Sequence, residues 1–349
     1  MKKVIKIFFI NISFFTFLIV CIDLTFGYWF DDYNFGPNMR GKRVQKIIFN
    51  KDNKKTFYYR DFFGFREDGN INKKYDASKI KVIFNGGSTG DEMFLNYKET
   101  IVGKINSNLK NDKIDFKIFN ASLSGKSLKG HVNEFSYWFA KIPNFKPDII
   151  VYYFGINDRN LNKSRWHDYE TNYNFYNIII DNISQKSFFW EKIKIIKDKY
   201  FYTQENLGKY FTNDKDLLKK LKEKKFISHK EASKKYKFKD KTENKIIENF
   251  NKNLKNLKKN LDEWDIKPIF ITQITYDING DKLLYFLNLE LKKFANKNEY
   301  DIIKLDELIK EPLINSFVDQ VHTNSNGSEK IANILYPKLK DKILELSKK

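Results

Sequence analysis

Residues 79–92 read KIKVIFNGGSTGDE: an apolar, β-branched run, two glycines, a serine and threonine, a third glycine and two acids. The run has the length and composition of a strand buried on both faces, and the glycines mark its end. Four further runs share its character: DFKIFNAS (115–122), DIIVYYFG (148–155), KPIFITQIT (267–275) and YDIIKLD (300–306). Helical patterns lie between them. The clearest is IIENFNKNLKNLKKNLDEW, in which Ile247, Phe250, Leu254, Leu257 and Leu261 follow one another at helical spacing along one stripe. Strands apolar on both faces and separated by helices predict a parallel five-stranded sheet covered on each side. Ligands in such folds meet the C-terminal ends of the strands, and the Gly-Gly-Ser turn lies at one of them.

Composition narrows the partners. The 349 residues carry a formal charge of +20, but the excess is almost all lysine; the only arginines are Arg40, Arg43, Arg60, Arg66, Arg159 and Arg165. Base readers and phosphate clamps favour the arginine fork, and the chain has no helix-turn-helix, zinc-finger or RNA-binding signature. A lysine- and asparagine-rich composition explains the charge, and nucleic acid is not the expected partner. Cys21 is the single cysteine, so there is no internal disulfide framework. The histidines, His131, His167, His229 and His322, are dispersed, and HExxH is missing. No metal is expected.

The chain divides into three parts: an N-terminal segment (1–30), a lead-in (31–78) and the alternating α/β region (79–349), which carries a helical, lysine-rich insertion at about 160–240. Lys2, Lys3 and Lys6 precede an uncharged run from Ile7 to Ile22. A spanning helix needs ~20 residues, so Asp23 falls near the far interface and Tyr28, Trp29 and Phe30 form an aromatic belt there. A cleaved signal peptide is the competing reading, but no A-x-A-like site follows. Lipoprotein processing at Cys21 is disfavoured by the bulky Val20. The segment is read as a single-pass membrane anchor with its N-terminus in the cytoplasm and the rest of the chain outside. The insertion reads as a solvated helical layer; a lid facing a polyanion or lipid headgroups is the sharper alternative. Its aromatics (Trp166, Tyr169, Tyr173, Phe175 and Tyr176) serve either packing or the stacking of sugar rings.

Two stretches invite a phosphate reading and fail it. NGGSTGDE lacks the Lys-Ser/Thr ending of a P-loop. NASLSGKS (120–127) has that ending, but Asn120 stands where the pattern requires glycine. Taken together, the strand ends form a different set. The first presents Ser88; the second, NASLSG, offers Gly125, whose backbone N–H a ligand can approach unobstructed. The third, GIND, offers the carboxamide of Asn157. Near the C-terminus VDQVHTNSNG carries Asp319 and His322 three residues apart, a spacing that can aim both side chains at one point.

The set resembles the GDSL/SGNH hydrolases, over roughly residues 79–158 and 267–340. The first block here reads Gly-Gly-Ser instead of Gly-Asp-Ser, similar to a GGST subset found behind membrane anchors, and GFRED in the lead-in is similar to that subset's approach to the block. The resemblance implies a flavodoxin-like three-layer α/β/α sandwich and carboxylic-ester chemistry through an acyl-enzyme, without metal or organic cofactor. It implies Ser88 as nucleophile, His322 as base and Asp319 as its orienting acid. The Ser88 N–H, the Gly125 N–H and the Asn157 amide would form the oxyanion hole, one such donor being worth ~3–4 kcal/mol of barrier. The implied substrates are O-acyl, above all O-acetyl, groups on surface or secreted glycans, or other small esters. An O-acyltransferase acting on a polysaccharide and a non-catalytic glycan-binding protein of the same fold are the alternatives.

Overall fold

The computed structural model describes residues 2–30, 35, 39, 42–51, 54–69, 71, 74–159, 168–170, 174–201, 223, 225–313 and 315–347. Its strands are β1 (Gln45–Lys51), β2 (Lys54–Arg60), β3 (Arg66–Glu67), β4 (Val82–Gly86), β5 (Ile118–Asn120), β6 (Ile149–Tyr153), β7 (Lys267–Ile271) and β8 (Asp301–Ile303). The helices are α1 (Lys2–Phe26), α2 (Ser88–Asp91), α3 (Ile101–Asn111), α4 (Leu128–Tyr137), α5 (Phe175–Lys186) and α6 (Phe188–Phe201). They continue with α7 (His229–Lys235), α8 (Lys241–Trp264), α9 (Lys282–Lys297), α10 (Leu305–Leu308) and α11 (Ser325–Ser347).

The five predicted runs form β4 to β8, which pair in parallel in the spatial order β5-β4-β6-β7-β8. The first parallel strand thus lies between the second and third, as in flavodoxin-like sheets, and the winding direction reverses between β4 and β6. A crevice opens at such a reversal, beyond the C-terminal strand ends.

Side chains alternate between the two layers. Ile83, Ile150 and Tyr152 share a core with Phe135 of α4, with Leu254, Leu257 and Leu261 of α8, and with Leu291 of α9. Their neighbours Val82, Phe84, Val151 and Tyr153 share the other core with Ile101 and Ile105 of α3 and Leu335 and Leu339 of α11. The α8 stripe read from sequence is buried along its whole length. Asp240 caps that helix by accepting the Glu243 N–H, and Asp265 ends it in the left-handed conformation.

The expected count of five strands is too low: among the described residues the sheet has eight. β1, β2 and β3 extend it as an antiparallel hairpin and a short third strand paired to β5. An antiparallel edge needs to bury only one face. The β2 run places aromatics on both faces, Tyr58 buried and Phe57 exposed, and this hid the alternation. Within the insertion, α5 and α6 form a helical pair; α6 packs beside β1 and the end of α1. Trp166, His167, Tyr173 and most of the lysine-rich run before Lys225 lie outside the described residues. Tyr169 is buried and stacks on Tyr137, whereas Phe175 and Tyr176 are exposed on α5.

Leu254 is fully buried at the middle of the α8 stripe. Replacing it with alanine is expected to lower unfolding free energy by about 2–5 kcal/mol through lost burial and a residual cavity. Urea unfolding in detergent measures this; a loss below about 1 kcal/mol would contradict the assigned core.

Candidate active site

β4 ends on Gly86, and the chain turns through Gly87 into α2, whose first residue is Ser88. Both glycines are required by close packing of three strand ends. A Cβ on Gly86 would lie 2.7 Å from the Tyr153 carbonyl oxygen, and one on Gly87 would lie 2.4 Å from Asn157 Nδ2. Across the crevice, the segment before α11 brings in the two C-terminal residues. Ser88 Oγ is 2.8 Å from His322 Nε2, and His322 Nδ1 is 2.6 Å from Asp319 Oδ2. Asp319 Oδ1 accepts the backbone N–H groups of Val321 (2.8 Å) and His322 (2.7 Å), which fixes the carboxylate against the ring. Burial pushes the Asp319 carboxyl up, but the His322 hydrogen bond and charge and the two amides outweigh it and hold it below its ordinary value.

The other two predicted residues border the same turn. Asn157 Nδ2 donates to the Lys126 carbonyl oxygen at 3.0 Å, so its carboxamide sits where the first two strand-end loops meet. Gly125 has φ +82, a left-handed value that favours glycine. Among the described residues the backbone amides of Ser88 and Gly125 donate to no protein acceptor. The structure thus brings Ser88, His322 and Asp319 into one hydrogen-bonded chain and places Asn157 beside it, with Gly125 in the adjoining loop.

Sequence reasoning missed the groups that hold these loops in register. Asp91 and Glu92 close α2, and both are buried. Asp91 Oδ2 accepts the N–H and Oγ–H of Ser124 (3.1 and 2.7 Å), anchoring the Gly125 loop. Its Oδ1 pairs with Arg60 Nη2 at 2.8 Å, and the same guanidinium donates to the carbonyls of Gly64 and Ser122. Glu92 faces the other way. It accepts Ile101 N–H (2.6 Å), Thr323 Oγ–H (3.0 Å) and the Ser328 hydroxyl, gripping the chain next to His322. Gln273, past the end of β7, accepts Ile156 N–H at 2.5 Å and donates to Thr89 Oγ1 at 2.7 Å, linking the neighbours of Asn157 and Ser88. The pair of acids was visible in the opening stretch; their burial was not.

Lys126, the lysine of the failed P-loop, is fully buried among protein acceptors. Its Nζ donates to Glu134 Oε2 (2.7 Å), Asn85 Oδ1 (2.6 Å) and the Ala121 carbonyl (3.1 Å). Burial pushes the Glu134 carboxyl up, but Lys126 and His131 outweigh it and hold it low. One cluster among the described residues has metal-ligand spacing: His229, Asp306 and Glu307. Lys292 Nζ lies 2.7 Å from Asp306 Oδ2 and 2.6 Å from Glu307 Oε1, so an ammonium already bridges both carboxylates.

No family model and no curated protein sequence matches the chain. Solved structures of similar architecture include the acetyl xylan esterase AlAXEase, with TM-score 0.42 and 14% identity over 74% of this chain and 99% of that one. TesA gives a TM-score of 0.43 and 11% identity, covering 75% of this chain and 98% of that one. A member of the lipolytic G-D-S-L family from Veillonella parvula gives 0.39 and 13%, covering 73% and 95%.

Glu92 makes the site's cohesion depend on pH. Burial pushes its carboxyl up to about 7 from an ordinary 4.5, against the opposing pull of its hydrogen bonds. A folded value above the unfolded one means that the folded chain holds the proton more tightly. The stabilising contribution is full below about 4.5 and is lost as pH rises through about 7. Melting temperature is therefore expected to fall between pH 5 and pH 8 more steeply in the wild type than in Glu92→Gln. Parallel slopes in thermal denaturation would show that Glu92 is not the titrating group.

Proposed function

We propose that the protein is a serine ester hydrolase of the SGNH type. The observation that carries this reading is the Ser88–His322–Asp319 chain, with its 2.8 and 2.6 Å links, at the reversal point of the sheet. A serine hydroxyl is a weak nucleophile until a base takes its proton. His322 Nε2 accepts it as Ser88 Oγ attacks the ester carbonyl, and Asp319 steadies the imidazolium that forms. The tetrahedral oxyanion is received by the amides of Ser88 and Gly125 and by Asn157 Nδ2, which gives up the Lys126 carbonyl. Collapse expels the alcohol, protonated by His322, and leaves an acyl-Ser88. A water deprotonated by His322 then attacks the acyl carbon at the same oxyanion site; collapse breaks the bond to Ser88 Oγ, His322 returns the proton to it, and the carboxylic acid leaves. The residues need no metal for this sequence. The substrate class proposed is small O-acyl esters, O-acetyl first, on glycans outside the cytoplasm.

The α1 segment is proposed as a retained single-pass anchor, N-terminus inside. Within Lys3–Phe26 an 18-residue window reaches mean hydropathy 2.4, and none of that window is buried in the core. Its far end is built into the folded domain. Asp23 Oδ1 accepts Ser187 Oγ–H (2.9 Å) and Phe189 N–H (3.1 Å), and Tyr28 N–H donates to the Lys186 carbonyl at 2.7 Å. A segment destined for removal has no use for such contacts.

A membrane-impermeant fluorophosphonate is expected to label the wild type on intact spheroplasts or protoplasts. Ser88→Ala and His322→Ala should lose labelling and roughly 10⁴–10⁶-fold in kcat/KM for acetyl esters, with melting temperature nearly unchanged. Full activity in either variant refutes the triad; labelling only after lysis refutes the topology alone. Incubation with an acetyl donor and glycan acceptors should release more free acetate than acetylated glycan, and the reverse would make the protein a transferase.

Asn157→Ala is expected to lower kcat about 10²–10³-fold with little change in KM. Gly87→Ala should do the same by displacing the Asn157 amide, so the double variant should be no worse than either single one. Additive losses in steady-state kinetics would separate the two residues and sink this account of Gly87.

A further inference from the structure

We propose that α5 and α6 form a membrane-docking hairpin whose apolar edge enters the lipid interface beside α1. The inference rests on reading α1 as a membrane anchor. Each helix leaves one apolar stripe unpartnered. On α5, Tyr176, Ile179 and Ile183 recur at helical spacing and are 68%, 42% and 42% exposed. On α6, Trp190, Ile193 and Ile196 do likewise, the two isoleucines being 59% and 56% exposed. Soluble surfaces seldom leave large aliphatic side chains in such rows, and a row of this kind marks an interaction face.

The position of the hairpin identifies the occupant. Its turn, Lys186 to Phe189, is fastened to the point where α1 leaves the bilayer, through Asp23, Tyr28 and a ring contact between Phe26 and Phe188 at 5.7 Å. Tyr28 Oη–H adds a bond to Glu191 at 2.9 Å. Gly27 permits this approach, because a Cβ there would lie 2.5 Å from the Lys186 carbonyl oxygen. The apolar rows are therefore continuous with the spanning helix and begin at its interfacial end.

The chemistry beside the rows fits a bilayer. A cavity of about 250 Å³ between Tyr28 and α6 is lined by Trp190 and Ile193, by the three cations Arg43, Lys194 and Lys197, and by one carboxylate, Glu191. Aromatic rings and cations flanking an apolar edge are the composition that amphipathic helices present to headgroups, with the apolar side buried ~5–10 Å into the interface.

The test uses the full-length chain with Cys21→Ser, reconstituted in nanodiscs of phosphatidylcholine and phosphatidylglycerol. Single nitroxide labels are placed through Phe15→Cys on α1, Tyr176→Cys and Ile193→Cys on the hairpin, and Lys245→Cys on exposed α8. Power saturation compares accessibility to oxygen, which partitions into lipid, and to a water-soluble nickel chelate. The hairpin labels are expected to resemble Phe15→Cys, with an oxygen-to-nickel ratio several-fold above that of Lys245→Cys. Hairpin labels as nickel-accessible as Lys245→Cys, with Phe15→Cys in lipid, would overturn the docking hairpin and leave the anchor standing. A nickel-accessible Phe15→Cys would overturn the anchor and, with it, the docking of the hairpin beside α1.

Discussion

Two consecutive buried acids, Asp91 and Glu92, are the constraint on which the site depends. Ser88 is held by a helix of a single turn, too short to support itself. Its far end is pinned from both sides instead: Asp91 grips the Gly125 loop and the Arg60 guanidinium, and Glu92 grips the chain beside His322. Ser88, Gly125, Asn157 and His322 come from segments spread over more than two hundred residues. These hydrogen bonds set their spacing.

Arg60 gives the lead-in a role that its position outside the five parallel strands does not announce. It is fully buried, and its fork spans Asp91 and the carbonyls of Gly64 and Ser122. Arg66 does similar work, donating to the carbonyls of Asp91 and Leu95. In a chain this poor in arginine, two of the six are spent on carbonyls around one turn, where the rigid planar fork is superior to a lysine. Breaking such a buried pair from one side strands a charge and costs ~3–5 kcal/mol. Arg60, the last residue of β2, thus ties the edge hairpin to the α2 turn.

The sheet supplies the rest. Winding reverses between β4 and β6, where a crevice is expected, and the β5 loop that carries Gly125 meets Asn157 there through the Lys126 carbonyl. Gly86 and Gly87 are as small as they are because Tyr153 and Asn157 from β6 and its following turn press against them. The Gly-Gly-Ser wording of the first block thus has a local cause, the carboxamide of Asn157 occupying the space that a side chain at position 87 would need.

The sequence by itself determined the elements whose physics is local. The five apolar runs, the α8 stripe and the apolar length of α1 follow from burial on two faces, one face or none, and each is legible as a period. That Ser88, Asn157, Asp319 and His322 would lie close together was legible too, because strand ends and a three-residue spacing restrict where such side chains can point. The tertiary structure alone decided which charged residues are interior. Asp91, Glu92 and Lys126 sit in stretches that read as turns and Arg60 in an aromatic run, and their burial depends on partners 8 to 236 positions away. The edge hairpin was likewise hidden, since β1 and β2 alternate only against each other and against what they cover. Periodicity records a residue's own face of the chain; pairing between distant faces exists only once the chain has folded.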